Sequence, residues 1–315
     1  MRSVRANPPV PRIAAGDLRR DQDLTVDELR QLLDLAHDIK KYPERYRTAL
    51  AGKYAALLFE KPSLRTRFTF ELAMQQLGGG AATQIGPIGE REPVADVARN
   101  LDGWVDAIVA RTFDQQTVDD LAEWAKAPVV NALSDLYHPC QALADFQTLE
   151  ECFGKLKGLK LAFVGDGNNV AHSLMLTAAQ TEVQFALAHP EGYAPDDDIV
   201  REARSLGGNI KITPDAEEAV RGADAVYTDV WASMGQEHEA YERMVHFEPY
   251  RVDTALMKKA KKTAVFLHCL PAKRGQEVTA DVVESRQSVV FQQAANRLHA
   301  QKALLLMLLG NNAIL

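Results

Sequence analysis

The chain has 315 residues, of which 46% are hydrophobic and 25% are charged, and its formal net charge is −7. This length accommodates two ordinary domains, and the composition is typical of a soluble globular protein. The negative charge argues against general nucleic-acid binding, although a local basic pocket for a small anion is compatible with it. No apolar run approaches the roughly 20 residues of a membrane span.

The three cysteines, Cys140, Cys152 and Cys269, are widely spaced and form no C-x-x-C motif. This pattern argues against a disulfide framework or a structural zinc site, and it predicts a reducing, cytoplasmic environment. Residues 1–16 include basic side chains but lack the apolar core of a secretory signal. We expect a flexible tail there, in preference to an organelle transit peptide.

In the first half of the chain, predicted helices alternate with predicted strands. A helical pattern runs from Leu24 to about Tyr46, and Thr25 and Glu28 have the spacing of a capping box. The run YAALLFE predicts a strand, FEKPSLRTRFTFE opens a helix, and GGGAATQIGPIGEREP predicts a long loop. Further elements follow in VADVARNLDGWV, DAIVAR, TVDDLAEWA and PVVNAL, and then in HPCQALADFQTLEECFG, a helix from His138 that links two halves.

A second series of strands and helices begins after Gly158. Its segments are LKLAFVGDGNNVAHSLMLTAAQ, EVQFALAHP, DDIVREARSLGG, NIKIT, DAEEAVRGA, DAVYTDVW and TAVFLHCLP, with a closing helix from about Ala295. The alternation predicts an α/β fold with two doubly wound parallel-sheet domains and the active site in the cleft between them. We expect one domain over residues 17–150, completed by a C-terminal helix over 295–315, and another over 151–294.

The stretch FEKPSLRTRFTFE gathers hydroxyl and guanidinium groups at a predicted helix start. A helix N-terminus attracts anions, Ser63 and Thr66 add hydroxyl donors, and Arg65 adds a planar fork suited to phosphate. The stretch therefore indicates either a phosphate site or a capped helix with a solvated basic turn. Arg67, two residues into the helix, is expected to have a structural role or to lie at a domain contact.

Polar residues also follow several predicted strands, where ligands bind in parallel α/β sheets. These residues are Arg111, Asn169, Asp229 and Cys269. In HPCQ, His138 and Gln141 share one helix face and can donate to a carbonyl oxygen, or they belong to an ordinary helix cap. Cys269 is an inert thiol, a nucleophile or a polar group lining a site. The nucleophile is least favoured, because His268 would point to the opposite face of the strand.

Two further motifs concern small ligands. VGDGNNVAHS has Val170 where a dinucleotide fingerprint has its third glycine, which argues against a nicotinamide cofactor. In DVWASMGQE, Asp229 is suited to an ammonium group, and Ser233 with the Met234 backbone is suited to the polar end of an amino acid. The alternative is a surface turn. Arg297 reaches a phosphate only if the last helix packs on the first domain, and otherwise lies at the surface.

Six motifs occur in a fixed order: S-x-R-T-R, H-P-C-Q, D-G-N-N, D-x-x-x-S-M-G-Q, H-C-L-P and N-R-L-H. Together they resemble the aspartate/ornithine carbamoyltransferase family over nearly the whole chain from about Asp17. D-G-N-N and S-M-G-Q resemble the members that use ornithine. Relatives that use putrescine or N-acylated ornithine share the phosphate-site motifs but differ at the loops for the second substrate.

The resemblance implies transfer of a carbamoyl group from carbamoyl phosphate to the δ-amine of L-ornithine, giving L-citrulline and phosphate, with no metal and no organic cofactor. It implies a carbamoyl phosphate site formed by Ser63, Leu64, Arg65, Thr66, Gln84, Arg111, His138, Gln141, Cys269, Leu270 and Arg297. It implies an ornithine site formed by Asn169, Asp229, Ser233 and Met234. The catalytic residues would be Arg111, His138, Cys269 and Asp229.

The same resemblance implies a homotrimer, or a multiple of trimers, in which Gln84 reaches the neighbouring subunit's site. Two segments depart from the family pattern. Lys273 stands where a histidine is common, and FQQAANR lacks the acidic residues usual before N-R-L-H, with Gln292 and Ala295 in their place. We therefore expect Arg297 to be held less firmly than in relatives that have those carboxylates.

Overall fold

The structure is a computed structural model that describes residues 10–232 and 237–310. The chain divides into two compact units, which are described separately below. The first unit extends to Gln147 and resumes at Asn296, and the second comprises Thr148–Ala295. Ser233 and Met234 lie outside the described residues, as do residues 1–9 of the expected tail.

The first unit is built on a parallel sheet. Its strands are β1 (Tyr54–Phe59), β2 (Gly80–Ile85), β3 (Ala107–Arg111) and β4 (Val129–Leu133), in the spatial order β2-β1-β3-β4. The helices are α1 (Val26–Lys41), α2 (Leu64–Gln76), α3 (Val94–Asp102) and α4 (Gln115–Trp124), followed by α5 (Pro139–Phe153), which leads into the second unit. Short 3₁₀ helices cover Asp21–Asp23 and Pro43–Tyr46.

The second unit is built on another parallel sheet. Its strands are β5 (Lys160–Val164), β6 (Gln184–Ala188), β7 (Ile210–Thr213), β8 (Ala225–Tyr227) and β9 (Val265–Leu267), in the order β7-β6-β5-β8-β9. Its helices are α6 (Asn169–Gln180), α7 (Asp197–Ser205), α8 (Ala216–Val220), α9 (Ala240–Phe247), α10 (Thr254–Met257) and α11 (Ala280–Val283), with 3₁₀ turns at Glu237–Glu239 and Glu248–Tyr250. The closing helix is α12 (Val290–Leu309). Two parallel-sheet α/β domains were predicted, and this prediction is confirmed.

Buried apolar runs explain the central strands. All five residues of β3 are buried, and so are all but one of the residues in β1, β4 and β5. Strands with helices on both faces have no solvent side, so they read as continuous apolar runs without alternation. This is why YAALLF, AIVAR and KLAFV were identifiable as strands from the sequence.

The predicted loop GGGAATQIGPIGEREP is wrong over its first part, because Gly80–Ile85 forms β2 at the sheet edge. The strand pairs in parallel with β1 in a continuous register from Tyr54 opposite Gly80 to Phe59 opposite Ile85. An edge strand has a partner on one side only, and small side chains are tolerated there. Strand β2 is therefore defined by its backbone pairing with β1, and its small side chains form no apolar pattern in the sequence.

The helix predictions also need correction. Helices α9, α10 and α11 were not predicted, and α12 begins at Val290 instead of about Ala295. The predicted capping box is confirmed: the Thr25 hydroxyl oxygen accepts from the Glu28 N–H at 3.2 Å, and the Glu28 carboxylate accepts from the Thr25 N–H at 2.8 Å. No helix among residues 10–232 and 237–310 is both long and apolar enough to span a bilayer.

The described part of the expected tail contacts the first unit. Ile13 is buried, and its N–H donates to the Met307 carbonyl at 3.4 Å. The Ala14 N–H donates to the Glu28 carboxylate at 2.6 Å. These contacts join residues 13–14 to helices α1 and α12.

Candidate active site

Helix α2 presents the predicted phosphate motif at its N-terminus. Ser63 is the N-cap residue, and its hydroxyl oxygen accepts from the Thr66 N–H at 3.2 Å. Leu64 is the first helical residue, and its side chain is apolar and exposed. Because N–H groups in the first turn have no partner within the helix, the backbone N–H of Leu64 is the group that a ligand can bind. Arg67 forms an ion pair with Glu71, with 3.0 Å between Nε and Oε1, which fits the structural role expected for it.

Arg297 connects three predicted site residues of the first unit. Its guanidinium is 2% exposed, and one terminal nitrogen donates to Gln141 Oε1 at 2.6 Å while the other donates to Thr66 Oγ1 at 3.1 Å. Gln141 Nε2 in turn donates to Asp145 Oδ1 at 2.8 Å, one helical turn further along α5. Thr66, Gln141 and Arg297 therefore meet although they come from α2, α5 and α12.

His138 lies among positive charges in the same unit. Burial, followed by the charges of Arg297, Arg111 and Arg65, lowers the pKa of His138 well below its usual value. The imidazole is consequently neutral near pH 7 and can donate a hydrogen bond without adding a further positive charge. We call the residues Ser63, Arg65, Thr66, Arg111, His138, Gln141 and Arg297 the anion cluster.

Arg111 is directed by an irregularity of the sheet. Ala110 pairs with Asn131 of β4, but Arg111 pairs with Leu133, so the register shifts by one residue between them. Such a bulge re-aims the side chain at the strand end. Gln84 differs from the anion cluster: it is exposed on β2 opposite Leu58, and none of the described contacts joins it to the cluster.

In the second unit, Asp229 is the centre of another group of polar side chains. Its Oδ2 accepts from Asn168 Nδ2 at 3.1 Å, and its Oδ1 accepts from Cys269 Sγ at 2.9 Å and from the Val230 N–H at 2.8 Å. Asn169 is the first residue of α6. We call Asn168, Asn169, Asp229 and Cys269 the acceptor cluster. Of the predicted ornithine residues, Asn169 and Asp229 belong to it, while Ser233 and Met234 lie outside the described residues.

The turn before α6 packs closely on a neighbouring segment. A Cβ atom on Gly167 would lie 2.1 Å from the Pro195 backbone nitrogen and 2.5 Å from the Ala194 carbonyl carbon. No side chain fits at such distances, so position 167 accepts only glycine unless the turn moves. The glycine of D-G-N-N thus serves close packing of the turn that presents Asn168.

Cys269 and Leu270, predicted for the carbamoyl phosphate site, belong to the second unit. The Leu270 N–H donates to His268 Nδ1 at 2.9 Å, and His268 Nε2 lies 3.2 Å from the buried carboxylate of Glu277. His268 therefore holds the H-C-L-P segment and does not activate the thiol. Asp229, His268 and Cys269 have potential metal-ligand atoms within 4.8 Å of one another. Both imidazole nitrogens are engaged, however, and would have to be released before His268 bound an ion.

Comparison with known proteins identifies the family. The family model "Aspartate/ornithine carbamoyltransferase, carbamoyl-P binding domain" matches residues 17–151, and the model of the Asp/Orn binding domain matches residues 157–308. The chain belongs to the aspartate/ornithine carbamoyltransferase family.

Individual members of the carbamoyltransferase family support this assignment. The ornithine carbamoyltransferase of Anoxybacillus flavithermus is 52% identical over 297 residues, which cover 91% of this chain and 94% of that protein. The solved structure of the Pyrococcus furiosus ornithine carbamoyltransferase has a TM-score of 0.91 at 47% identity, covering 95% of this chain and 99% of that one. The Thermus thermophilus enzyme gives 0.86 at 49% identity, with 93% and 99% covered.

Several polar residues of this carbamoyltransferase were not found from the sequence. Lys61 is buried with its Nζ 4.4 Å from the centre of the Phe113 ring, and burial together with Arg111 lowers its pKa. Asp145 contacts Gln141, and the only available signal was the spacing of four residues on one helix face. Asn168 was not assigned to either site, and its contact with Asp229 spans 61 residues of sequence.

Arg243 was also missed, because it lies on the unpredicted helix α9. Its guanidinium donates to Asp166 at 2.7 Å, to the Trp231 carbonyl at 3.0 Å and to Glu239 at 2.8 Å. Trp231 and Glu239 stand on either side of residues 233–236, which carry the S-M-G-Q motif. Arg243 thus connects both flanks of that motif with the turn before α6.

The lowered pKa of His138 predicts a specific pH dependence of stability. As the pH falls below about 6.5, histidine in the unfolded chain gains a proton while buried His138 does not. The unfolded state is then favoured, so the free energy of unfolding should decrease by about 1.4 kcal/mol per pH unit through this residue. His138→Gln should lack this component.

Denaturant unfolding of both proteins at pH 7.5, 6.0 and 5.0 checks the prediction. The wild-type free energy of unfolding should fall more steeply with decreasing pH than that of His138→Gln, and His138→Asn should repeat the shallower dependence. Parallel curves for all three proteins would show that His138 is not held neutral by its surroundings.

Proposed function

We propose that this carbamoyltransferase moves the carbamoyl group of carbamoyl phosphate to the δ-amine of L-ornithine, releasing L-citrulline and phosphate. The anion cluster binds carbamoyl phosphate, and the acceptor cluster with Ser233 and Met234 binds ornithine. The family membership supports the reaction class. The name of the Pyrococcus furiosus relative, an anabolic ornithine carbamoyltransferase at 48% identity, supports the ornithine acceptor and the direction toward citrulline.

The observation that carries the proposal is the buried Arg297 guanidinium. Its donors to Thr66 and Gln141 end on uncharged oxygens, so these two bonds leave the positive charge of the site intact. Together with Arg65 and Arg111, this charge attracts the dianionic phosphate group. Neutral His138 then offers a hydrogen bond to the carbonyl oxygen. This combination suits an activated acyl group attached to phosphate better than it suits phosphate alone.

The chemical step forms a bond between the δ-nitrogen and the carbonyl carbon and breaks the bond between that carbon and the phosphate oxygen. Phosphate leaves with the bonding electron pair, and the nitrogen loses a proton. Negative charge grows on the carbonyl oxygen before phosphate departs. Arg111, His138 and Thr66 stabilise it, and removing one such donor typically lowers the rate by about 10²–10³-fold. Since phosphate is already a good leaving group, positioning and charge stabilisation suffice without a cofactor.

The acceptor amine must be neutral when it attacks, whereas a free alkylamine titrates near 10. The contact between Asp229 and the Cys269 thiol supports a role for this pair in binding the amine and taking up its proton, with Asn169 holding the amino acid end of ornithine. Leu270 and Cys269 contribute to the carbamoyl phosphate site in this proposal. A cytoplasmic location is supported by the three cysteines, none of which is joined in a disulfide.

The test is product formation from carbamoyl phosphate with L-ornithine, N-acetyl-L-ornithine, putrescine and L-aspartate offered separately. We expect citrulline from ornithine, identified by mass, and at least about 100-fold slower turnover of the other amines, because each of them leaves buried polar groups unpaired. Efficient turnover of putrescine or N-acetylornithine would keep the anion cluster and overturn the assigned acceptor. The absence of turnover with every amine would refute the carbamoyltransferase activity.

We further propose that the chain assembles as a homotrimer or a multiple of trimers. Helix α2 exposes Leu64, Phe68 and Leu72 at 69%, 53% and 38%, one above the other on a single face. Contiguous exposed apolar side chains of this kind typically mark a protein interface. The edge strand β2, with Ile85 and Gln84 exposed, follows in the same unit. Gln84 is proposed to reach the neighbouring subunit's site.

Phe68→Glu tests the assembly, because it places a charge in the middle of this apolar face. Sedimentation equilibrium should give three chains, or a multiple of three, for the wild type and a smaller species for the variant. Leu206→Glu, at an exposed apolar position of the second unit, is the matched control and should retain the wild-type mass. An unchanged mass for Phe68→Glu, or a monomeric wild type, would contradict this interface.

A further inference from the structure

Both the oxygen and the nitrogen of the Asn168 side-chain amide form hydrogen bonds. Its Oδ1 accepts from the Val170 N–H at 3.0 Å and from the Ala171 N–H at 3.2 Å, which makes Asn168 the N-cap of α6. Its Nδ2 donates to Asp229 Oδ2 at 3.1 Å. Because the oxygen is fixed by two backbone donors, the direction of the nitrogen is fixed as well. A helix cap thereby becomes an oriented hydrogen-bond donor.

Asp229 is held from two sides as a result. Val230 and Cys269 donate to one carboxylate oxygen, and Asn168 donates to the other. With donors at one oxygen alone, the carboxylate is able to turn about its terminal torsion, which is intrinsically broad. The Asn168 contact removes that freedom and leaves Asp229 with one defined plane.

We propose that Asn168 is a positioning residue for the acceptor amino acid, which orients the Asp229 carboxylate through its amide nitrogen while its amide oxygen caps α6. This inference rests on the proposed role of Asp229 in holding ornithine. It assigns to the first asparagine of D-G-N-N a task distinct from that of Asn169. One side chain then fixes both the start of α6, which carries Asn169, and the orientation of the Asp229 carboxylate.

The chemistry of an amide suits this task. Asn168 donates to Asp229 without a formal charge, so the carboxylate keeps its full negative charge for a cationic amino group. A lysine or arginine at this position would cancel that charge, and an aspartate would oppose it. Other titratable groups near Asp229 are Asp166, which is already engaged by Arg243, His268 and the Cys269 thiol. Asn168 is the contact through which Asp229 is oriented without changing the local charge.

Two substitutions separate positioning from capping. Serine and aspartate are as good as asparagine at an N-cap, so Asn168→Ser and Asn168→Asp should preserve α6. Serine is too short to reach Asp229, and aspartate replaces the donor by a like charge. A purely capping role therefore predicts wild-type behaviour for both variants.

Asp196→Ala is the matched control. Asp196 caps α7 in the same unit with the same pattern, since its Oδ1 accepts from the Asp198 N–H at 2.8 Å and from the Ile199 N–H at 3.4 Å. Its removal takes away a cap without touching Asp229. We expect a lower unfolding temperature but wild-type KM values.

The first readout is the pair of KM values. We expect Asn168→Ser to raise the KM for ornithine about 10- to 100-fold, as is typical for losing a hydrogen bond to a charged group, and Asn168→Asp to raise it further. The KM for carbamoyl phosphate should remain within about twofold, because the anion cluster is untouched. Ornithine KM values within twofold of the wild type for both variants would overturn the proposal.

The second readout does not need turnover. Iodoacetamide labelling of Cys269, located by mass spectrometry across a pH series, reports the surroundings of the thiol that donates to Asp229. Asn168→Asp should slow labelling at a given pH, because added negative charge disfavours the thiolate. Asp196→Ala should label like the wild type. If the wild type fails to use ornithine, the proposed function fails. The labelling rates still decide whether Asn168 controls the contact between Asp229 and Cys269. Equal labelling rates in all proteins would exclude this role of Asn168.

Discussion

A guanidinium stays charged at every pH at which proteins fold, so a buried arginine obliges its surroundings to supply acceptors. Arg297 is buried in the first unit, where Thr66 and Gln141 accept two of its donors. Removing such a charge from water is costly, and uncharged oxygens compensate it only in part. In the proposed function, this positive charge attracts the anionic substrate. The need to hold Arg297 thus explains why α2, α5 and α12 each contribute a polar residue to one place.

The acceptor cluster of the second unit has the opposite electrostatic character. Asp229 is its central carboxylate, and the donors around it, from Asn168, Val230 and Cys269, are all uncharged. A carboxylate held in this way retains its attraction for a cationic amino acid. The two clusters therefore carry charges opposite to those of their proposed substrates: arginines for carbamoyl phosphate and a carboxylate for ornithine.

Much of the fold could be predicted from the sequence because buried parallel strands read as apolar runs. The same reasoning failed for β2, whose glycines and alanines give no such signal, and for the first residues of α12, which precede the predicted helix start at about Ala295. The capping box of α1 was predictable because both of its bonds lie within four residues. Local patterns therefore located most elements but missed those defined by pairing alone.

The candidate site was predictable in a different way. Strand ends and the helix start of α2 indicated Arg65 and Arg111 by local argument, but Arg297 and Thr66 are separated by 231 residues. Local reasoning left Arg297 either at the phosphate site or at the surface, and the resemblance to a family favoured the phosphate site. The contacts of Asp145, Asn168 and Arg243 followed neither from spacing nor from that resemblance, because they depend on how distant segments pack.

The segment FQQAANR, which departs from the family pattern, makes specific contacts in the fold. Gln292, at one of the positions where relatives carry an acid, donates to Glu151 at 2.7 Å. Arg297 is nevertheless held by Thr66 and Gln141. That Arg297 is held less firmly than in relatives stays a prediction, and these two bonds supply acceptors from outside its own helix.

The central claim is that buried Arg297 makes the first unit an anion site, and calorimetric titration with inorganic phosphate tests it most directly. Arg297→Gln keeps a polar side chain but removes the charge, whereas Arg67→Gln removes a partly exposed charge that is paired with Glu71 on the same helix as Thr66. The account predicts at least about tenfold weaker phosphate binding for Arg297→Gln, from the loss of charge-assisted hydrogen bonds, and a change within about twofold for Arg67→Gln. Equal phosphate affinity in Arg297→Gln and the wild type would contradict it.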